Sequence, residues 1–419
     1  MKRKYENEKF VSLPFLLSGS DETESETGKT SFIKTTFHGL NALSGVGILS
    51  TPYALSSGGW LSMILLLLIA CATFYTSILI KRCMDFDPTT TSYPDIGDRA
   101  FGTSGRILVS IFMTLELYLV ATGFLIFAGD NLHNLLPDVN FEFWGLGIGG
   151  KQSFVLIVAL VILPTVLLKN MTMLAYVSAS AVLASLVIIG SILWAATYDG
   201  IGFHKSGVVV NWGGIPTSFS LYAFCYCAHP VFPTFYTSMN KQKQSPKVML
   251  LCFVFATITY ASIAAMGYSM FGSEVESQIT LNLPTGNFNS KLAIYTTLIN
   301  PIAKYSLMMT PVINKLEERF QSNNNKESSF SPAIRITLVI SSVIVALTIP
   351  FFGYLMSLVG AFLSVTTSVM LPCLCYLKIS GTYRNLGFEL AITGFIVLTG
   401  VLVLVTGTYT SLIEIIRHL

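Results

Sequence analysis

Residues Gly39 to Ser56 read GLNALSGVGILSTPYALS, and residues Phe219 to Tyr236 read FSLYAFCYCAHPVFPTFY. Each is an apolar run broken near its middle. Gly45-Val46-Gly47 and then Pro52 interrupt the first. Cys227-Ala228-His229-Pro230 interrupts the second, with Pro233 just beyond. Glycine weakens a helix, and proline removes a backbone donor. Both segments are therefore expected to unwind at mid-membrane depth, where unpaired backbone is tolerated only if it lines a cavity or is buried in protein. Two breaks in corresponding places of two halves are the sequence mark of a secondary transporter's substrate site. The competing reading is that glycine and proline are simply common in membrane helices, where small residues allow close packing.

Composition supports a membrane setting. The chain has 419 residues, 52% hydrophobic and 11% charged, against about 25% charged in soluble domains. This is the profile of an integral membrane protein. A net charge of +3 is too small to suggest a nucleic-acid partner. Residues 1–30 are polar, carry the acidic stretch Asp21 to Glu26, and read as a solvated, disordered cytosolic tail with no cleavable signal. Gly28-Lys29-Thr30 fails as a phosphate-binding loop because Thr23 stands where the first glycine belongs. Six of the seven cysteines lie in hydrophobic runs and Cys83 ends one. Small apolar packing residues, rather than a disulfide framework or metal ligands, are expected.

A membrane helix needs about 20 mostly apolar residues. Eleven candidates follow: about 31–56, 59–81, 106–130, 152–168, 172–198, 213–239, 247–272, 289–314, 334–350, 352–378 and 386–416. Pro350-Phe351-Phe352 leaves almost no loop between the ninth and tenth, so ten and twelve spans are the competing counts. With the N-terminus in the cytosol, 20 of the 25 basic residues fall on the cytosolic side. Lys151, Lys205, Lys291 and Arg417 fall opposite, and Lys304 falls inside a span. That split satisfies the positive-inside rule. The first broken span then runs outward and the sixth inward. The expectation is an all-α polytopic protein with a first five-helix repeat (31–198), an inverted second repeat (213–378) and an additional span (386–416).

The breaks suit a zwitterion. Free N–H groups at the start of a second half-helix favour a carboxylate, and free carbonyls at the end of a first half favour an ammonium. An amino acid can be held this way without a charged side chain, and neither broken span carries Asp, Glu, Lys or Arg after Lys34.

At these residues the chain resembles a known family. SGVGILSTPYALSSGGW (44–60), SYPDIGDRAFG (92–102), LIFAGDNL (125–132), NPIAKYSL (300–307) and the FCYCAHPVFPTFY stretch are similar to the amino acid/auxin permease family, nearest its plant and fungal vacuolar amino acid transporter branch. The resemblance covers roughly residues 30–416. It implies a leucine-transporter-like fold in which spans 1, 2, 6 and 7 rock against spans 3, 4, 8 and 9. It also implies transport driven by a proton gradient, with no cofactor, in the vacuolar membrane; the plasma membrane is the second choice. Many members have a glycine near Cys227-Ala228. Its absence here leaves Pro230 more of the unwinding.

Ionisable groups inside a membrane are costly and mark function by default. His229 sits at the sixth-span break and titrates in the range of an acidic compartment; the alternative is a structural histidine bonded to unwound backbone. Lys304, in span eight, offers an ammonium in the place of the sodium ion of related transporters; an ion pair or snorkelling is the alternative. Glu116, in span three, is a partner for Lys304 or a proton carrier. Asp130, at the far end of that span, reads as an anchor. Asp95, Asp98 and Arg99 resemble a short gating helix. The sequon at Asn170 falls in a cytosolic turn.

The expected function is proton-coupled transport of neutral amino acids by a monomer, with the lipid bilayer, substrate and protons as its partners. Ser44, Gly45, Val46 and Gly47 would face Phe224, Cys225, Tyr226 and His229 across the substrate, with Thr297 and Asn300 of span eight nearby. An amino-acid-sensing receptor, or a transporter of another small solute, would use the same residues. An enzyme is disfavoured because the five histidines form no metal spacing. A metal-ion transporter is disfavoured because the first break offers no carboxylate.

Overall fold

The computed structural model describes residues 30–139, 142–143, 146–147, 149–167, 186–321, 331–384 and 387–418. The N-terminal tail before Thr30 and the Asn170 sequon lie outside these residues.

Among the described residues every expected span falls on helix. The first comprises α1 (Phe32–Leu43) and α2 (Thr51–Gly58), joined through a 3-10 turn at Val46–Ser50. The Ser31 hydroxyl caps α1 by accepting from the Lys34 amide at 3.4 Å, and Pro52 starts α2, where a missing N–H costs nothing. Span two is α3 (Ser62–Asp85). Span three lies in α4 (Tyr93–Leu135), which bends at Gly102 with φ +67°. Spans four and five are α5 (Gly150–Leu167) and, among the described residues, α6 (Leu186–Thr197). Span six divides into α7 (Ile215–Cys225) and α8 (Phe232–Ser238). Spans seven, eight and nine are α9 (Ser245–Phe271), α10 (Phe288–Gln321) and α11 (Ser331–Thr348).

The junction at Pro350 is a real one: Phe351 is extended (φ −113°, ψ 91°) and span ten starts afresh at Phe352. That span is α12 (Phe352–Leu358), two π-helical stretches (Val359–Ser364 and Thr366–Met370) and α13 (Leu371–Ser380). Span eleven is α14 (Phe388–His418). Outside the helices, a two-residue antiparallel pair, Glu142–Phe143 with Leu146–Gly147, makes the one small sheet among the described residues. The molecule is an all-α polytopic membrane protein.

Burial separates the spans by role. In its most apolar stretch span ten is 78% buried, span eleven only 17%. Span ten therefore belongs to the core and span eleven runs along the lipid-facing rim. At the N-terminal end of α4, Ser92 and Asp95 form a capping box. Arg106 pairs with Asp95, and Arg99 with Asp87 at 2.5 Å. At the other end of α4, Asp130 anchors as expected. Its carboxylate accepts from Gln278 Nε2 at 3.1 Å and sits 3.5 Å from Lys151, while Asn131 donates to Gln278 Oε1 at 2.5 Å. These bonds tie the α9–α10 connection down, with Gln278, Ile279 and Thr280 wholly buried.

Candidate functional site

Both breaks open where the sequence places them. Helix α1 stops at Leu43; Ser44 (φ −75°, ψ 71°) and Gly45 (φ −98°, ψ −168°) are non-helical. Ile48 N donates to Gly45 O at 3.3 Å, leaving the Val46 and Gly47 amides at the start of the turn without an intrahelical partner. Helix α7 stops at Cys225. Tyr226 and Ala228 turn with ψ near zero, 10° and 8°, so the missing glycine does not prevent unwinding. Pro230 has no N–H to offer the turn before it.

The breaks touch each other. Cys225 Sγ donates to Gly47 O at 3.3 Å. A Cβ on Gly47 would stand 3.0 Å from that sulfur and 3.2 Å from the Phe224 ring, so glycine is what permits the approach. A Cβ on Gly45 would meet nothing within 4 Å, because Gly45 faces a cavity. The hydroxyl of Tyr260, on α9, lies 2.5 Å from Leu43 O and 3.1 Å from Cys225 O. One side chain thus reaches the last carbonyl of both first half-helices.

The cavity measures about 120 Å³, roughly ten times the smallest volume that holds a water. Asn41 to Leu43 and Gly45 to Gly47 bound it on span one; Phe224, Cys225, Cys227, Ala228, Pro230 and Val231 bound it on span six. Span three contributes Met113, Glu116, Leu117, Val120 and Phe124, and span eight Lys304, Leu307, Met308 and Pro311. The walls are mainly apolar. Glu116 and Lys304 are the acidic and basic exceptions.

Lys304 is 4% exposed, and its ammonium donates to Ser44 O at 2.9 Å and Asn41 O at 3.1 Å. It therefore satisfies carbonyls at the C-terminal end of α1, where the helix dipole favours a cation. Glu116, also 4% exposed, accepts from the Ser364 hydroxyl at 2.7 Å and the Thr367 hydroxyl at 2.9 Å. Among the described residues no ion pair joins Glu116 and Lys304, so of the two sequence readings of Glu116 the pairing with Lys304 is not what the structure has. Each is already satisfied by neutral partners on a different helix.

Of the residues expected at the site, Gly45, Val46, Gly47, Phe224 and Cys225 border the cavity, and Ser44 adjoins it through its carbonyl. Tyr226 does not. Its hydroxyl bonds Thr257 at 2.8 Å and its ring stacks on Phe253, turned toward α9 by the break. Neither does His229, which is wholly buried against span two. Its Nε2 lies 3.1 Å from Thr73 O, an acceptor, so this nitrogen carries the proton; Thr76 Oγ1 lies 2.8 Å away. His229 is a peg for the break and stands off the cavity. Thr297 and Asn300 are also off the wall. They lie on the Lys304 stripe of α10 but two turns and one turn before it, respectively, and Thr297 bonds its own helix at Ile294 O.

Sequence reasoning missed Asn41, Cys227 and the apolar walls of spans three and eight. A signal existed for the walls. Glu116, Leu117, Val120 and Phe124 share a helical face, as do Lys304, Leu307, Met308 and Pro311 at i, i+3, i+4 and i+7.

Among the described residues no group of three His, Cys, Asp or Glu is placed to hold a metal ion. The arrangement can hold a small zwitterion between backbone dipoles and an apolar wall.

Comparison with known proteins agrees with this geometry. A family model described as transmembrane amino acid transporter protein matches residues 28–413. The chain is 57% identical over 419 residues to amino acid transporter AVT1J of Arabidopsis thaliana, covering 98% of this chain and 99% of that one. It is 56% identical over 389 residues to AVT1I of the same plant, covering 93% and 96%. To AVT1B it is 42% identical over 390 residues, covering 93% and 72%. With a discontinuous helix on either side of a closed-in cavity and a family match along nearly its whole length, the chain belongs to the transmembrane amino acid transporter family, a family of transporters and not of enzymes.

Proposed function

We propose that this protein carries neutral amino acids across the vacuolar membrane by alternating access, driven by a proton gradient. The observation that carries the reading is the cavity itself, bounded by the broken backbone of spans one and six and walled mainly by apolar side chains. The α-carboxylate would lie on the Val46 and Gly47 amides at the start of the turn in span one. The apolar residues of spans three and eight favour an uncharged side chain. The relatives' names supply the amino acid class; the vacuolar membrane rests on the branch resemblance.

The architecture fits a five-plus-five inverted repeat with span eleven added, the N-terminus in the cytosol and a monomer as the working unit. Spans 1, 2, 6 and 7 would rock against 3, 4, 8 and 9. Lys304 acts as a fixed ammonium that holds the first break, in the place of a sodium ion. Glu116 is the proton carrier, being a buried carboxylate on the cavity with no ionic partner among the described residues.

Uptake of a panel of labelled amino acids into proteoliposomes, with and without an imposed pH gradient, tests this. Gradient-dependent accumulation of neutral amino acids is expected. Accumulation indifferent to the gradient would remove the proton. No flux from folded protein would remove amino acid transport.

A further inference from the structure

The tenth span has no role in the reading above, yet it supplies the groups that touch Glu116. It is 78% buried in its most apolar stretch and is wound as a π-helix over Val359–Ser364 and Thr366–Met370. Such winding is rare and concentrates at functional sites. Ser364 Oγ donates to Glu116 Oε1 at 2.7 Å and Thr367 Oγ1 to Oε2 at 2.9 Å, one hydroxyl for each carboxylate oxygen. Both hydroxyls are wholly buried. The Cys227 thiol, at the break of span six, is the third side chain against the carboxylate.

The opposite side of the same π-helical stretch is bonded elsewhere. Thr367 O accepts from the Tyr93 hydroxyl at 2.5 Å, and Ser368 O from Thr76 Oγ1 at 2.7 Å. Thr76 Oγ1 in turn contacts His229 Nε2, the peg of the sixth-span break. A change at Glu116 therefore has two bonded routes to that break: directly through Cys227, and through span ten to Thr76 and His229.

We infer that Ser364 and Thr367 are positioning residues for Glu116, holding its carboxylate oriented to receive a proton, and that span ten relays the protonation to the break of span six. The inference rests on the proton-coupled reading. Two donated hydrogen bonds favour the charged carboxylate; the arriving proton makes one oxygen a donor and cancels one of them. The other ionisable groups near Glu116 are Lys304 across the cavity, Tyr93, Cys227 and His229. Lys315 lies further along α10, bonded to Ser110 and to Thr114 at 3.3 Å.

The experiment uses full-length protein in proteoliposomes, with Thr367→Val, Ser364→Ala, the hydroxyl-retaining Thr367→Ser, and Glu116→Gln. Two transport readings are taken: exchange of labelled amino acid without a gradient, and gradient-driven accumulation against pH. Infrared titration of the protonated carboxyl stretch that Glu116→Gln removes reads the proton directly. T367V and S364A should retain exchange while the accumulation profile and the infrared titration both move alkaline by about one pH unit. T367S should restore the wild-type profile. If T367V does not fold, S364A carries the same test.

Unmoved profiles in T367V and S364A, beside a gradient-dependent wild type, would overturn the positioning role and leave proton coupling standing. A wild type indifferent to the gradient would overturn both.

Discussion

The two breaks do the same thing to a helix by different means. The first is made by glycine. Gly45 opens onto the cavity, Gly47 lets Cys225 and Phe224 approach, and the loose carbonyls are held by a lysine from span eight. The second has no glycine. Proline ends the ladder, and the turn is pinned by His229 on Thr73 and by Tyr226 on Thr257. The first break thus presents backbone to whatever enters the cavity. The second presents Phe224, Cys225 and Cys227 to it and turns its polar rings outward into the bundle. Unwinding alone does not make a binding surface; what satisfies the unwound groups decides which break can bind and which serves as a joint.

The sharpest way to break this comparison is Gly45→Leu. The side chain would project into the cavity without a backbone clash, so uptake should fall to background while size-exclusion behaviour stays wild type. Uptake near wild type would remove the first break from the site. Next in size is Lys304→Ala, which strips the Asn41 and Ser44 carbonyls of their donor. A loss of about 1–3 kcal/mol per orphaned carbonyl should appear in thermal or denaturant unfolding, together with loss of uptake. An unchanged melting temperature would show that the lysine does not hold the break.

His229→Ala should cost about 1 kcal/mol through the bond to Thr73 O that it removes, yet leave the pH profile of the remaining uptake unmoved, because the ring stands off the cavity. A shifted profile would return His229 to the proton path. The smallest effect expected is that of Tyr226→Phe. Losing the bond to Thr257 should cost about 1 kcal/mol with the substrate KM unchanged. A raised KM would place Tyr226 on the substrate after all.

Much of the architecture is legible in the sequence. Eleven apolar runs, their polar punctuation and the sided distribution of Lys and Arg give the helices. Even the crowded junction at Pro350 resolves into two spans, since proline cannot continue the helical ladder and disfavours helical backbone in the residue before it, so α11 ends at Thr348. The cavity is legible in part. Gly45 and Gly47 are readable because glycine and chain polarity say where backbone must be free. Tyr226 and His229 mislead because helical phase is lost across the break: once Tyr226 to Ala228 leave α-helical angles, spacing no longer tells which way the next side chain points.

The sequence by itself therefore determined the membrane setting, the order of spans and the place of both breaks, all of which follow from local hydrophobicity and backbone chemistry. Only the tertiary structure decided who partners whom. Lys304 goes to the carbonyls of span one and Glu116 to the hydroxyls of span ten, although a buried acid and a buried base on neighbouring spans invite a pairing. Such choices depend on distances of a few ångström between helices far apart in sequence. The cost of leaving any buried group unsatisfied is settled over the whole packed bundle, and no single segment carries that information.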